Sequence, residues 1–133
     1  MPIKKVVIHT DGVAAPNPGP AAIGVTIKDE HDRLISAISQ PIGYATNNQA
    51  EYRAIIAALE NANQLGVSQV DLRSDSELVV RQINGKYRVK NKDLKSLYQQ
   101  VKELQGSFEG FTIIHVPREQ NKEADSLAGK ALE

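Results

Sequence analysis

The chain has 133 residues, enough for one domain whose core can fold alone. Its 16 basic and 16 acidic residues cancel, which argues against a general polyanion binder, and 41% hydrophobic with 24% charged residues is ordinary for a soluble globular protein. The lack of cysteine excludes disulfides and thiolate metal sites and fits a reducing cytoplasm.

The opening "MPIKKVVIHTDG" passes from two lysines into a strand-like run, without the apolar core or cleavage pattern of a signal peptide. The longest apolar run is the six residues 54–59, far below the ~18 of a membrane span. A soluble cytoplasmic protein, with residues 1–133 forming a single domain, is therefore expected. "IKKVVIHT" (3–10) is β-branched and predicts the first strand. "AAIGVTIK" (21–28) and "RLISAISQ" (33–40) predict two more, joined by the polar "DEHD". A helix follows from about Asn48 to Leu65, with almost no polar face, and Gly66 stops it. "QVDLRS" (69–74) reads as a strand and "DSELVVRQIN" (75–84) as a helix closed by Gly85. Leu94, Leu97, Tyr98, Val101 and Leu104 recur at helical spacing in 91–106. "FTIIHV" (111–116) predicts the last strand and "NKEADSLAGKAL" (121–132) the last helix. Three antiparallel strands followed by strand–helix crossovers make an α/β (mixed α+β) protein, a mixed sheet with helices packed on it. One local excess breaks the charge balance: Lys86, Arg88, Lys90, Lys92 and Lys95 face only Asp93 within 86–95, a candidate phosphate-binding run or a solvated helix start.

Four acids fall at element ends. Asp11 lies where the first strand is expected to stop, Glu51 in the first turn of the long helix, Asp75 after the fourth strand and Asp125 in the first turns of the last helix. Each has a plain structural reading. Asp11-Gly12 is a turn pair, Asn48-x-x-Glu51 and Ser74-x-x-Glu77 have capping-box spacing, Asp75 suits a helix N-terminus and Asp125 can face solvent. Together they have another: four carboxylates in one place repel unless cations lie between them, and oxygen ligands without histidine or cysteine suit Mg²⁺ or Mn²⁺. Two such ions ~4 Å apart are the arrangement of in-line phosphoryl transfer. The spacing alone does not establish that the four converge.

The blocks "TDG…NPGP" (10–20), "TNNQAE" (46–51), "SDSELVV" (74–80), "VKNKDL" (89–94) and "NKEADSLA" (121–128) resemble, in order and over nearly the whole chain, ribonuclease H of type 1. The resemblance implies a five-stranded mixed sheet flanked by helices, and an endonuclease that cuts the RNA strand of RNA/DNA hybrids, leaving 5′-phosphate and 3′-hydroxyl ends. It implies that Asp11, Glu51, Asp75 and Asp125 are the metal-binding tetrad, holding two Mg²⁺ or Mn²⁺ ions, with no protein nucleophile. Asn47, Asn48 and Gln49 are then placed to hydrogen-bond ribose 2′-hydroxyls and base edges. Gly12, Asn17, Ser76 and Glu77 resemble further RNA contacts; Thr46, Asn91 and Lys90 resemble a grip on a DNA phosphate; Asn121 matches a residue that orients the loop before Asp125 and is counted with the substrate-binding residues. Contacts of this kind position a duplex without reading its sequence.

Two departures from the family pattern stand out. Only "GKYRV" (85–89) occupies the place of a basic, tryptophan-rich protrusion, and "HVPREQNKEAD" replaces a loop carrying Gly-His-x-Gly-His. Glu119 is the candidate replacement for the missing histidine, whereas His9 reads as structural, His31 as an exposed hairpin residue and His115 as a last-strand residue facing core or cleft. These features resemble a shorter subgroup of archaea and some bacteria, for which double-stranded RNA is an additional candidate substrate. A monomer is the default. The alternatives are a non-cleaving nucleic-acid-binding module of the same fold, or an exonuclease or resolvase built on it.

Overall fold

The computed structural model describes residues 3–133; Met1 and Pro2 lie outside them. Five strands, β1 (Lys5–Ala14), β2 (Gly19–Lys28), β3 (Leu34–Ala45), β4 (Gln69–Ser74) and β5 (Gly110–His115), form one sheet in the order β3-β2-β1-β4-β5. β1, β2 and β3 are antiparallel neighbours, while β1–β4 and β4–β5 are parallel. The helices are α1 (Asn47–Gln64), α2 (Glu77–Ile83), α3 (Lys92–Gln105) and α4 (Lys122–Ala131), with a 3-10 turn at Arg118–Gln120. The mixed sheet with crossover helices is as expected.

Two strands outrun their expected ends. The local pattern stops β1 at Thr10, and its parallel pairing does end there, at Thr10↔Ser74. Its antiparallel pairing with β2 continues through Asp11↔Gly24 to Ala14↔Ala21. Asp11-Gly12 is therefore strand, not turn. β3 passes its expected end at Gln40 and runs to Ala45, across a bulge opposite Ala21/Ala22. Gly43, with φ +81°, takes up the bulge, and Pro41 is tolerated because β3 is an edge strand.

Strand alternation divides the layers. Val6, Ile8 and Thr10 of β1, with Val70, Leu72 and Ser74 of β4, are buried on the face that receives α1. A Cβ at Gly12, on that face, would overlap the Ala50 carbonyl and the Glu51 amide, so glycine is required for α1 to lie this close. On the opposite face a Cβ at Gly24 would overlap the Ala124 backbone of α4. The apolar run of α1 is buried between the sheet and α3, with Tyr52, Ile55, Ala58 and Leu59 inaccessible to solvent. Tyr52 Oη donates to Gln82 Oε1 at 2.7 Å, tying α1 to α2 inside the core.

The helix caps differ from expectation. Thr46, not Asn48, caps α1: its Oγ1 accepts from Gln49 N and the Gln49 side chain accepts from Thr46 N. Ser76, not Ser74, caps α2, accepting from Val79 N. Asn91 caps α3 through Asp93 N and Leu94 N. In both corrected cases the acid or hydroxyl expected in a cap is occupied by a contact distant in the chain.

Candidate metal centre and nucleic-acid interface

The expected acids meet where β1 and β4 part company beyond Thr10↔Ser74. Ligand oxygens of Asp11, Glu51 and Asp75 lie within 4.8 Å of one another. Asp125, in the first turn of α4, lines the same cleft of about 360 Å³. Its Oδ1 lies 3.6 Å from Arg118 Nη2, and that arginine, from the 3-10 turn, also lines the cleft.

Glu51 is held from two strands. Gly12 N donates to its Oε1 at 2.8 Å, and Ser74 Oγ donates to its Oε2 at 3.3 Å. This settles the question of a capping glutamate, because its carboxylate points away from the helix start and into the sheet.

The cluster is electrostatically unfavourable by itself. Burial, then the nearby Glu51 and Asp75 charges, push Asp11 up to about 9. Burial also pushes Glu51 up to about 7, against the Gly12 amide and the Ser74 hydroxyl that favour its charged form. A proton, or a divalent cation, must compensate charge here at neutral pH. All three converging side chains are carboxylates, and such a donor set suits a hard divalent cation.

A second cleft of about 490 Å³ adjoins the first, sharing Asn47 and Asn48 with it and adding Asn17, Thr46, Gln49 and Asn91. Its amides are oriented by the backbone. Asn47 Oδ1 accepts from Ala14 N at 2.7 Å, and Asn17 Oδ1 accepts from Asn47 N at 3.0 Å. With their oxygens engaged, these two amides offer their NH₂ groups as donors.

Several expected contacts fall elsewhere. Glu77 is exposed and pairs with Arg81 at 2.9 Å on the outer side of α2, and Lys90, also exposed, lines neither cleft. Asn121 is 1% exposed, with its Nδ2 donating to Thr10 O at 2.9 Å, so it anchors the segment before α4 to β1 and has no surface for substrate. Gly12 lines the acidic cleft, but its N–H is engaged by Glu51. Glu119 is exposed and lines a separate small cleft beside His9 and Asn121, away from the acids. His115 is exposed at the end of β5, where core or cleft is the sequence expectation. His31 is exposed, as expected, and His9 is half-buried, with burial and then Arg73 and Lys28 holding it below its ordinary value. Ser74 and Arg118 are site residues that sequence reasoning misses: the spacing around Ser74 suggests a cap, and nothing in "VPREQN" marks the arginine.

Fold and acid cluster together define a ribonuclease H-like domain. Residues 9–131 match the family described as reverse transcriptase-like. The chain is 41% identical over 129 residues to the ribonuclease HI of Halobacterium salinarum, and 42% identical over 130 residues to the bifunctional protein Rv2228c of Mycobacterium tuberculosis. These alignments take in 97% of this chain, but it spans only 65% of the first relative's length and 36% of the second's. Among solved structures it is similar to the Halobacterium RNase H1, at TM-score 0.94 over 96% of this chain and 97% of that one. It is also similar to LC11-RNase H1 in complex with an RNA/DNA hybrid, at 41% identity and TM-score 0.91 over 96% of each chain. The chain belongs to the ribonuclease H type 1 family. Among the described residues no helix is long and apolar enough to cross a membrane.

Proposed function

We propose that this chain is a ribonuclease H: a divalent-metal-dependent endonuclease that hydrolyses the RNA strand of RNA/DNA hybrids without sequence preference, leaving 5′-phosphate and 3′-hydroxyl ends. The observation that carries the reading is the convergence of three carboxylates from β1, α1 and the end of β4 within 4.8 Å. A relative 41% identical to this chain was solved bound to an RNA/DNA hybrid, which supports the choice of substrate.

In this reading Asp11, Glu51 and Asp75 hold Mg²⁺ or Mn²⁺, with Asp125 completing a site for two ions. Bound divalent cations supply the charge stabilisation for in-line attack of water on a phosphodiester. The protein's own groups do the rest. Asn47 and Asn17 present NH₂ donors to ribose 2′-hydroxyls, while Asn48 lines both clefts, Ser76 the first and Gln49 the second. Thr46 and Asn91, at the wall of the second cleft, take a phosphate of the DNA strand. Arg118 offers a cation to the phosphate beside Asp125. The exposed Lys86, Arg88 and Lys90 provide screened, sequence-independent attraction. Residues 1–133 act as one catalytic domain, a cytoplasmic monomer, and double-stranded RNA is a secondary substrate.

The test is a labelled hybrid of 12–20 base pairs with Mg²⁺ or Mn²⁺, beside all-DNA and all-RNA duplexes. Internal cuts in the RNA strand, abolished by Asp11→Asn, are the expected result. Tight binding without cleavage in either metal would leave a non-cleaving module, and digestion only from free ends an exonuclease.

A further inference from the structure

Ser74 is the last residue of β4, and its pairing with Thr10 puts it on the α1 face of the sheet, fully buried. Asp75 follows it, and the chain then turns into α2. Two contacts fix the direction of the Ser74 hydroxyl. Ser76 N–H can only donate, and it does so to Ser74 Oγ at 3.1 Å. A hydroxyl has one hydrogen, so that hydrogen is the one given to Glu51 Oε2, 3.3 Å away. One buried oxygen thus touches both the carboxylate from α1 and the turn that carries Asp75.

The consequence for Glu51 is geometric. With Gly12 N on Oε1 and Ser74 Oγ on Oε2, both carboxylate oxygens are held, and the plane of the group is set by two strands. Remove the hydroxyl and Oε2 loses its donor from β4, leaving Gly12 N on Oε1 as the one backbone tether, about which the carboxylate can rotate. The turn at Asp75 loses its link to the same point.

We propose that Ser74 is a positioning residue for the cation site, holding Glu51 and the Asp75 turn in one register so that both carboxylates face the same ion. This rests on the reading that the cleft binds divalent cations. Outer-shell partners of metal ligands commonly change affinity ~10–100-fold when removed.

Threonine and valine at position 74 have nearly the same shape and differ in the hydroxyl, so Ser74→Thr and Ser74→Val form the decisive pair. Mn²⁺ binding is measured calorimetrically on the substrate-free protein, with melting temperature in EDTA followed in parallel. The expected result is a Kd for Mn²⁺ raised about tenfold in Ser74→Val and within about threefold of the parent in Ser74→Thr. Cleavage by the valine variant should recover as Mn²⁺ is raised, since the hydroxyl acts through ligand geometry. Parent-like Mn²⁺ affinity in Ser74→Val would overturn the proposal, as would an equal fall in both variants. If Ser74→Val does not fold, Ser74→Ala, which carries no bulk, replaces it under the same criterion. A parent protein that binds no Mn²⁺ would instead refute the metal reading of the whole cleft.

Discussion

The metal-free cleft should be a place where the fold is weakened by its own chemistry, and Asp11→Asn measures by how much. Asp11 is 6% exposed, and its carboxyl is pushed from an ordinary 3.8 up to about 9 by burial and by Glu51 and Asp75. Between pH 4 and 9 the folded protein therefore holds a proton that the unfolded chain has released, and stability falls as pH rises through that window. From the ordinary value of 3.8 to pH 8 is about four units of titration, and at about 1.4 kcal/mol per unit the ceiling is about 6 kcal/mol. The proton is shared with Glu51, and the cleft opens to water on one side, so about 2–3 kcal/mol is the gain expected from an uncharged asparagine. For a domain of this size that is about 10 °C in Tm. Thermal unfolding of parent and variant in EDTA, from pH 5 to 9, is the assay. The variant should melt higher at pH 8, the gap should shrink toward pH 5, and saturating Mg²⁺ should raise the parent far more than the variant. An Asp11→Asn protein that melts lower than the parent at pH 8, or a gap independent of pH, would refute the reasoning.

Three further outcomes follow from the packing and the charge map. Gly12→Ala drives a methyl into the Ala50 carbonyl and should cost about 3 kcal/mol in urea unfolding, with loss of cleavage as α1 backs away. Asn121→Ala leaves the buried Thr10 carbonyl without its donor; a loss of about 1–3 kcal/mol is expected by the same method, with cleavage falling more than hybrid binding because Asp125 follows on the next turn. Joint replacement of Lys86, Arg88 and Lys90 by alanine should flatten the plot of log affinity against log salt, by about 0.9 for each phosphate no longer neutralised, with the rate at saturating hybrid unchanged.

The order of strands and helices is legible because β-branched runs and helical spacing are local signals. The four acids are legible as positions, each at an element end. What defeats local reading is competition between overlapping patterns. Residues 46–51 contain two capping-box spacings, Thr46-x-x-Gln49 and Asn48-x-x-Glu51, and only the first is used. The choice is made by Gly12 N, which takes the Glu51 carboxylate from 39 residues away. Ser74 and Ser76 compete in the same way, and Ser74 loses the cap because its hydroxyl faces Glu51. The ends of β1 and β3 escape local reading because the β2 partner, not their own composition, prolongs them to Ala14 and Ala45. Arg118 carries no local signal at all; its place follows from the anchoring of Asn121 to β1 three residues later.

These differences share a cause that bears on how the site works. A turn at Asp11-Gly12 would have satisfied the dipeptide and left Asp11 at the surface. As strand, the pair instead puts Asp11 on the α4 face and Gly12 on the α1 face, so two helices on opposite layers converge on adjacent residues. The missing Cβ at Gly12 lets the α1 backbone come close enough for Gly12 N–H to reach Glu51 Oε1 at 2.8 Å. Ala14, Ala21, Ala45 and Ala50 pack as a small-residue cluster at this end of the sheet, where larger side chains would push α1 outward. The bond from Gly12 seats Glu51 beside Asp11 and Asp75, whose ligand oxygens lie within 4.8 Å of its own. A close approach of backbone at Gly12 thus sets where Glu51 meets the sheet, and it holds together acids whose charge a proton or a divalent cation must compensate.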